Sequence, residues 1–242
     1  MKNEKTNENL DKNNFDKLNI ASKSLLGTIP LVGPFLSEMA SEIIPNQRID
    51  RISSYIKILN EKISQIDQKI LDKIKENQEF IDLIEESFYQ AVRLTSDERK
   101  EYFSNIIVNG ITEENISFHQ SKVLLILLSQ VNDIEILFLK HYSNRIRDRE
   151  FFKKHKNVLE KIIVHTNSDK ETKNKAYIQE NYKDNLKRLK LIEEEFEFDK
   201  KTGMPKFDAH KKKYKIKNIK ITGLGEILLE NIGLNKIENK QE

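Results

Sequence analysis

The chain has 242 residues, of which 33% are charged and 37% hydrophobic, and a formal net charge of +3. These proportions are typical of a folded helical protein with a polar surface and one large or two small domains. The sequence contains no Cys, which excludes disulfides and thiolate metal sites and favours a reducing, intracellular setting.

Positive charge is concentrated in the last third of the chain. Residues 140–220 contain 24 Lys and Arg against 13 Asp and Glu, so this part carries a net +11 and the remainder carries −8. Such asymmetry favours an anionic partner for the basic part, either nucleic acid or a lipid headgroup surface. The Lys, Ile and Asn bias of an AT-rich genome accounts for the same numbers, so both interpretations stay open.

The first 44 residues divide into a polar tail and an apolar segment. Residues 1–18 are rich in Asn, Lys, Glu and Asp, which predicts a disordered tail and no signal peptide. Residues 19–44 contain the longest uncharged run, Ser24 to Ser37, whose two Gly and two Pro disfavour a straight helix.

This run of 14 residues is shorter than the roughly 20 that a membrane-spanning helix needs. The segment therefore either enters the membrane boundary as a wedge or packs on the bundle as a kinked helix. As a wedge for a membrane or a partner, it would present Leu25, Leu26, Ile29, Val32, Phe35 and Leu36.

A long helix is predicted after Pro45. Aliphatic side chains recur at three- and four-residue steps, the spacing of a packed helical stripe, at Ile49, Ile52, Ile56, Leu59, Ile63, Ile66 and Ile70. The predicted helix continues to near Asn77, roughly 30 residues or about 45 Å. The stripe needs a partner, which is either residues 80–92 in an antiparallel hairpin or a second copy of the chain. Self-association through the stripe from Ile49 to Ile70 is therefore one expected interaction.

The next predicted helix has signals at both ends. Thr95 and Glu98 have the spacing of a capping box, in which each side chain bonds the backbone amide of the other. Asn109-Gly110 is expected to end this helix, because both residues favour the conformation that follows a helical C-terminus.

Two more helices complete a predicted bundle over residues 45–145. Ser117 and Gln120 repeat the capping-box spacing at the start of the first. Its six successive aliphatic residues, 123–128, predict a helix that is buried on all sides. The second begins at Asn132-Asp133.

The last third predicts a winged-helix-like α+β module over residues 146–235. A helix ending near Lys190 precedes a strand, a Lys-rich turn region, a second strand from Tyr214 with an irregularity at Asn218, and a short final helix. The predicted fold class is therefore mainly α: a helical bundle with a long N-terminal helical hairpin, followed by this module. Residues 236–242 are expected to form a tail.

Basic and amide side chains of this module are candidate nucleic-acid contacts. Lys and Arg pair with phosphates, and Asn reads adenine edges when a helix enters the major groove. The candidates are Asn181, Lys183, Asn185, Lys187, Arg188, Lys211, Lys212 and Lys213. The same residues also fit a solvated surface on a winged-helix fold that contacts protein.

Catalytic motifs are missing from the sequence. It contains no His-Glu-x-x-His, Gly-x-x-x-x-Gly-Lys-Ser/Thr, Gly-x-Ser-x-Gly or Gly-x-Gly-x-x-Gly. The five His are far apart and form no ligand cluster in the sequence. We therefore expect a non-enzymatic protein that has no cofactor, no metal and no identified small-molecule substrate.

Five segments follow one another behind the Gly/Pro segment and the long helix. They are Phe80–Glu86, Glu101–Asn109, Ser121–Leu139, Leu186–Ile192 and Ile221–Gly225. In this order the chain resembles the Abi-alpha family of bacterial abortive-infection proteins over roughly residues 24–232. No catalytic motif defines that family, so the resemblance implies a role in antiviral defence and implies no active-site residues.

The sequence thus predicts a non-enzymatic bacterial phage-defence or abortive-infection protein that acts through a membrane or protein interaction. In this hypothesis the protein is cytoplasmic and peripheral to the inner membrane. The alternative is a winged-helix regulator that binds DNA or RNA and dimerises through its long helix.

Overall fold

The chain is mainly helical, with a small antiparallel β part near its C-terminus, as the sequence predicts. The structure, a computed structural model, describes residues 46–113, 116–143, 149–209 and 212–234. None of the helices in these ranges is long and apolar enough to cross a membrane.

Several predictions concern residues outside these ranges. They are the tail over 1–18, the apolar segment over 19–44 with its wedge from Leu25 to Leu36, the candidate contact Lys211, and the tail over 236–242. These remain predictions from the sequence.

The chain divides into two compact units, with the boundary between Ser129 and Gln130. The described helices of the first unit are α1 (Asn46–Ile63), α2 (Gln68–Ile74), α3 (Gln78–Ala91), α4 (Asp97–Thr112) and α5 (Phe118–Ser129). α1 packs mainly on α4 and also on α3, and α5 packs on both of these helices. The largest side chains of the core are Tyr55, Phe80, Phe88 and Phe103.

The single long helix predicted to near Asn77 is wrong, because the chain forms two helices in its place. α1 ends at Ile63 and α2 begins four residues after Ser64, at Gln68. Asp67 starts the second helix, since its carboxylate accepts a hydrogen bond from the Lys69 amide at 2.7 Å. An aspartate in this position competes with a continuous helix by satisfying the first free amides of a new one.

The aliphatic stripe is used inside the first unit as far as α1 continues. Its five members from Ile49 to Ile63 are fully buried, whereas Ile70, beyond the break, is exposed. The chain's own α4 therefore supplies most of the surface that covers α1, and α3, which contains most of the predicted partner residues 80–92, supplies a smaller part.

Helix caps are confirmed at one position and shifted at another. Ser117 and Gln120 form the predicted reciprocal box, with amide-to-side-chain distances of 2.8 and 3.2 Å. α4 is capped by Ser96, whose hydroxyl accepts from the Arg99 amide at 3.3 Å, and not by Thr95. The cap was therefore predicted one residue too early.

α4 continues through Asn109-Gly110 to Thr112, so the predicted stop is wrong. Gly110 has a packing role inside the helix. A Cβ at this position would lie 2.6 Å from the Ser121 hydroxyl oxygen, so the missing side chain lets α5 approach α4 closely.

α5 is not buried on all sides, contrary to the prediction from its composition. Leu124, Leu125 and Leu128 are buried, but Val123 and Ile126 are exposed. The helix packs on α3 and α4 along one side. Apolar composition alone did not decide how many sides of the helix are covered.

The second unit contains the α+β part of the chain. Its described elements are α6 (Asp133–Ser143), α7 (Arg149–Lys154), α8 (Lys156–Leu159), α9 (Lys170–Arg188), β1 (Ile192–Phe196), β2 (Phe207–Asp208), β3 (Lys213–Tyr214), β4 (Ile216–Ile221) and α10 (Gly223–Asn231). α6 begins where predicted, and Asn132 and Glu135 exchange hydrogen bonds at 2.8 and 2.9 Å across its first turn. The helix belongs to this unit and not to the bundle over 45–145.

The core of the second unit lies around α6. Helices α8, α9 and α10 and strand β4 contact α6. Its buried side chains include Ile136, Phe138, Leu139, Leu186, Leu191, Ile192, Leu228 and Leu229.

β1 and β4 form an antiparallel pair, with Ile192 opposite Ile221 and Phe196 opposite Ile216. The register shifts between Glu195 and Phe196, next to the irregularity predicted at Asn218. Between β1 and β4 the chain forms the short β2–β3 pair. The order of α9, β1, β2–β3, β4 and α10 is therefore the predicted winged-helix-like order.

The predicted final helix is confirmed as α10. Thr222 caps it by accepting from the Gly225 amide at 3.2 Å. A Cβ on Gly225 would press against the backbone carbonyl oxygen of Leu191 and lie 2.6 Å from Ile221 Cγ1. Only glycine lets the start of α10 sit this close to the end of the strand pair.

Candidate binding site

Two candidate nucleic-acid contacts on α9 hold this helix against the rest of the second unit. The Asn185 amide donates to the Gln130 carbonyl oxygen at 3.0 Å and to the Glu135 carboxylate at 2.9 Å. Lys183 is largely buried, with its ammonium 5.9 Å from the centre of the Phe138 ring. Burial lowers the pKa of Lys183. Both polar groups therefore serve internal contacts.

Lys187 is also engaged, whereas two other candidates on α9 are exposed. The Lys187 ammonium lies 2.7 Å from carboxylate oxygens of both Asp184 and Glu194. Burial opposes its charge, but the two carboxylates outweigh burial and raise the pKa of Lys187. Asn181 and Arg188 are exposed, and Arg188 donates to the amide oxygen three residues before it at 2.8 Å.

Residues 196–216, from the end of β1 to the start of β4, are here called the wing, and their first turn is held by several hydrogen bonds. The Asp199 amide donates to the Met204 carbonyl oxygen at 2.8 Å, and the Gly203 amide donates back to the Asp199 carbonyl oxygen at 2.9 Å. Amides of Thr202 and Lys201 donate to the Asp199 carboxylate and lower its pKa. Gly203 has φ 69°, a conformation that favours glycine. These contacts define the shape of the tip.

The wing carries an excess of positive charge. Residues 196–216 contain seven Lys, two Asp and one Glu. Four exposed lysines form no ion pair with any residue that the structure describes; they are Lys200, Lys201, Lys212 and Lys213. Lys212 and Lys213 are among the candidate contacts named from the sequence, and Lys200 and Lys201 belong to the same predicted Lys-rich turn region. We call these four residues the wing lysines.

The strand register places apolar side chains on one face of the wing. Residues opposite each other across two strands share a face, as do residues two apart on one strand. The opposite pairs are Phe196 with Ile216, Phe198 with Pro205, and Phe207 with Tyr214. The Tyr214 ring contacts the Phe196 and Phe207 rings edge-on, with centroids 5.9 and 5.5 Å apart. These six side chains form the apolar face of the wing, which begins at the end of β1.

This apolar face is exposed. Phe198, Phe207, Tyr214 and Ile216 are 46 to 57% exposed, and Met204 in the turn is 69% exposed. Contiguous exposed apolar side chains are uncommon away from binding surfaces. The sequence predicted the two strands and the charges of this region, but not that their apolar side chains share an exposed face. Alternation of Phe and charged residues was the available signal, but it does not tell which side of a strand is covered.

The other face of the wing and the adjacent strands carry charge pairs. Lys206 contacts the Glu197 carboxylate at 2.8 Å, and Lys217 contacts the Glu195 carboxylate at 3.4 Å. The hydrogen bond and the charge of Lys206 lower the pKa of Glu197. The wing is thus amphipathic, with an apolar side and a charged side.

No group of three or more His, Asp or Glu among the described residues has the arrangement of a metal site. No family model, curated protein or solved structure matches this chain. The similarity to the Abi-alpha family therefore stays an expectation that rests on the five segments named above.

Proposed function

We propose that this chain is a binding protein of bacterial antiviral defence and that its wing holds it to an anionic partner. The observation that carries the proposal is the set of wing lysines, which have no carboxylate partner in the described chain. Lys200 and Lys201 lie in the hydrogen-bonded first turn, and Lys213 begins β3 directly after Lys212. The defence role is supported by the segments similar to the Abi-alpha family. In this proposal the protein acts by contact with a membrane or another macromolecule and not by catalysis.

Electrostatics favours the wing over α9 as the contact. Lysines that are paired with a carboxylate have part of their field cancelled, as for Lys187. The wing lysines retain their field and attract an anionic surface over about 10 Å at moderate salt. Binding should therefore weaken as salt concentration rises.

The first test measures retention of the full chain on a sulfated polysaccharide column. We expect the protein to bind at low salt, and a variant with all four wing lysines changed to Glu to elute at much lower salt. A matched control changes four exposed basic residues of the first unit to Glu, namely Arg48, Lys57, Lys69 and Lys73. Failure of the native protein to bind at low salt would contradict the proposal.

The second test measures the defence role by phage plaque counts on bacteria with and without the gene. We expect fewer plaques with the native gene, with protection lost in the wing-lysine variant and kept in the control variant. Equal plaque counts with and without the gene, over a panel of phages, would remove the defence role.

A regulator that binds duplex DNA is the second candidate. It is favoured by the winged-helix-like order of elements and by the exposed Asn181 and Arg188 on the helix that precedes the wing. If four lysines contact phosphates, the logarithm of the binding constant should fall with the logarithm of salt concentration with a slope of about −4. A flat salt dependence would exclude this candidate.

A further inference from the structure

We propose that the anionic partner of the wing is a lipid bilayer, with the apolar face entering the headgroup region and the wing lysines contacting lipid phosphates. This inference rests on the proposed function, because it names the partner of the same site. The apolar face carries the inference, because binding through charge alone does not explain why these side chains are exposed.

The apolar face has the composition of an element that lies in a membrane boundary. It combines aromatic rings with aliphatic side chains, and the exposed Met204 lies in the turn directly before Pro205. Leaving water for the boundary region is favourable for all of these groups. The Tyr214 ring can enter the boundary while its hydroxyl stays among the polar headgroups.

The wing lysines are close in sequence to the apolar side chains. Lys200 and Lys201 lie in the same turn as Met204, and Lys213 directly precedes Tyr214. Long lysine side chains can extend towards phosphates while neighbouring apolar groups enter the lipid. Each lysine near an anionic leaflet adds to the attraction, so charge and apolar contact act together.

A second copy of the wing is a poorer partner for the apolar face. Two wings packed face to face would bring two sets of seven Lys together, with only two Asp and one Glu in each to compensate. Like charges at short distance oppose such packing. An anionic bilayer has the complementary charge.

Nucleic acid also fits the apolar face less well. Bases stack on flat ring faces. Tyr214 contacts both neighbouring rings edge-on, and Met204, Pro205 and Ile216 provide no aromatic ring. Contacts to duplex phosphates leave an apolar face exposed, since such interfaces are polar.

The first experiment is co-flotation of the full chain with vesicles. We expect flotation with vesicles of phosphatidylcholine mixed with phosphatidylglycerol and little with phosphatidylcholine alone. Met204→Ser combined with Phe207→Ser keeps every charge and should weaken binding about tenfold. The matched control is Tyr177→Ser combined with Ile178→Ser, because these α9 residues are 70 and 53% exposed. The control should float like the native protein.

The second experiment reports insertion directly. The chain has no Trp, so Met204→Trp introduces a single probe at the exposed tip. Its emission should shift to shorter wavelength on phosphatidylglycerol vesicles, and Tyr177→Trp on α9 should show no shift. Absence of a shift for Met204→Trp while the protein is vesicle-bound would overturn insertion of the wing.

The outcomes separate the inference from the proposed function. If the native chain binds the polysaccharide column but not the vesicles, the inference that the partner is a bilayer is wrong and the proposed anion-binding function stands. If neither is bound, both fail. The inference is also overturned if the Met204→Ser, Phe207→Ser variant binds vesicles like the native protein.

Three further results would assign another partner. If Leu26→Glu abolishes flotation and the Met204→Ser, Phe207→Ser variant still floats, the lipid contact belongs to the apolar segment. Stronger binding to a DNA oligonucleotide than to vesicles at equal salt assigns nucleic acid. If the native chain sediments in a concentration-dependent way and the Met204→Ser, Phe207→Ser variant does not, the partner is a second copy of the chain.

Discussion

The stripe on α1 and the apolar face of the wing have similar chemistry and opposite surroundings. The stripe from Ile49 to Ile63 is fully buried under α3 and α4. The wing face, from Phe196 to Ile216, lies on short strands and stays about half exposed along most of its length. The comparison teaches that apolar residues of the first surface stabilise the fold, whereas those of the second are available for binding.

The strongest test of this comparison removes one aromatic side chain from α4, the helix that covers the stripe, and one from the wing face. Phe103 is fully buried, so Phe103→Ala should lower the free energy of unfolding by about 3–5 kcal/mol. Phe207→Ser on the wing should change it by less than about 0.5 kcal/mol. Urea denaturation followed by circular dichroism measures both. A cost for Phe207→Ser as large as that for Phe103→Ala would show that the wing face is part of a core.

Three glycines test how closely the elements of each unit approach one another. Gly225→Ala forces a Cβ against a backbone oxygen that cannot move away, so it should cost about 1–3 kcal/mol. Gly110→Ala should cost less, because the Ser121 hydroxyl that it meets can rotate. Gly223→Ala meets nothing within 4 Å and serves as the control. Thermal unfolding midpoints in the reverse order would contradict these packing roles.

Asn185 tests whether α9 uses its amide for structure. Asn185→Ala removes the two hydrogen bonds that the amide nitrogen donates and those that the amide oxygen accepts from Arg188. It leaves the buried Glu135 carboxylate with one partner fewer, which should cost about 1–3 kcal/mol of stability. Asn181→Ala on the exposed surface should cost less than about 0.5 kcal/mol. Chemical denaturation separates the two. Equal stability of both variants would show that the Asn185 contacts contribute nothing.

The smallest expected effect concerns the charged side of the wing. Lys206 lowers the pKa of Glu197, so their pairing is present above the ordinary glutamate pKa of 4.5 and is lost as pH falls through the lowered value. Lys206→Met should return the pKa of Glu197 towards 4.5, which a carbon-detected NMR titration measures. Lys217→Met, which removes the partner of Glu195, should leave that titration unchanged. If the pKa of Glu197 is the same in Lys206→Met as in the native protein, the pairing of Lys206 with Glu197 is contradicted.

Much of the secondary structure was predictable because its causes are local. Ser117 with Gln120, and Thr222 before α10, cap helices through contacts within three residues, which a sequence displays directly. Alternation and turn residues likewise located the strand pair that begins at Ile192. The error at Thr95 arose because the neighbouring Ser96 offers the same local chemistry. The stop predicted at Asn109-Gly110 was wrong because the packing of Gly110 against Ser121 is not a local feature.

The candidate site was predictable only in part. The sequence located the basic region and named Lys212 and Lys213, which are exposed on the wing. It also named Lys183 and Lys187, whose charges are held by a ring and by carboxylates from elsewhere in the second unit. Composition counts charges, but it does not show which of them already have a partner.

By itself, the sequence determined that the chain is mainly helical, that its β part comes late and that its positive charge lies there. Periodicity, caps and composition act over a few residues and need no knowledge of distant contacts. Only the tertiary structure decided which side of α5 is covered, why Gly110 is inside a helix, and that the apolar face of the wing is exposed. Each of these depends on what packs against a surface, and that neighbour is far away in the sequence.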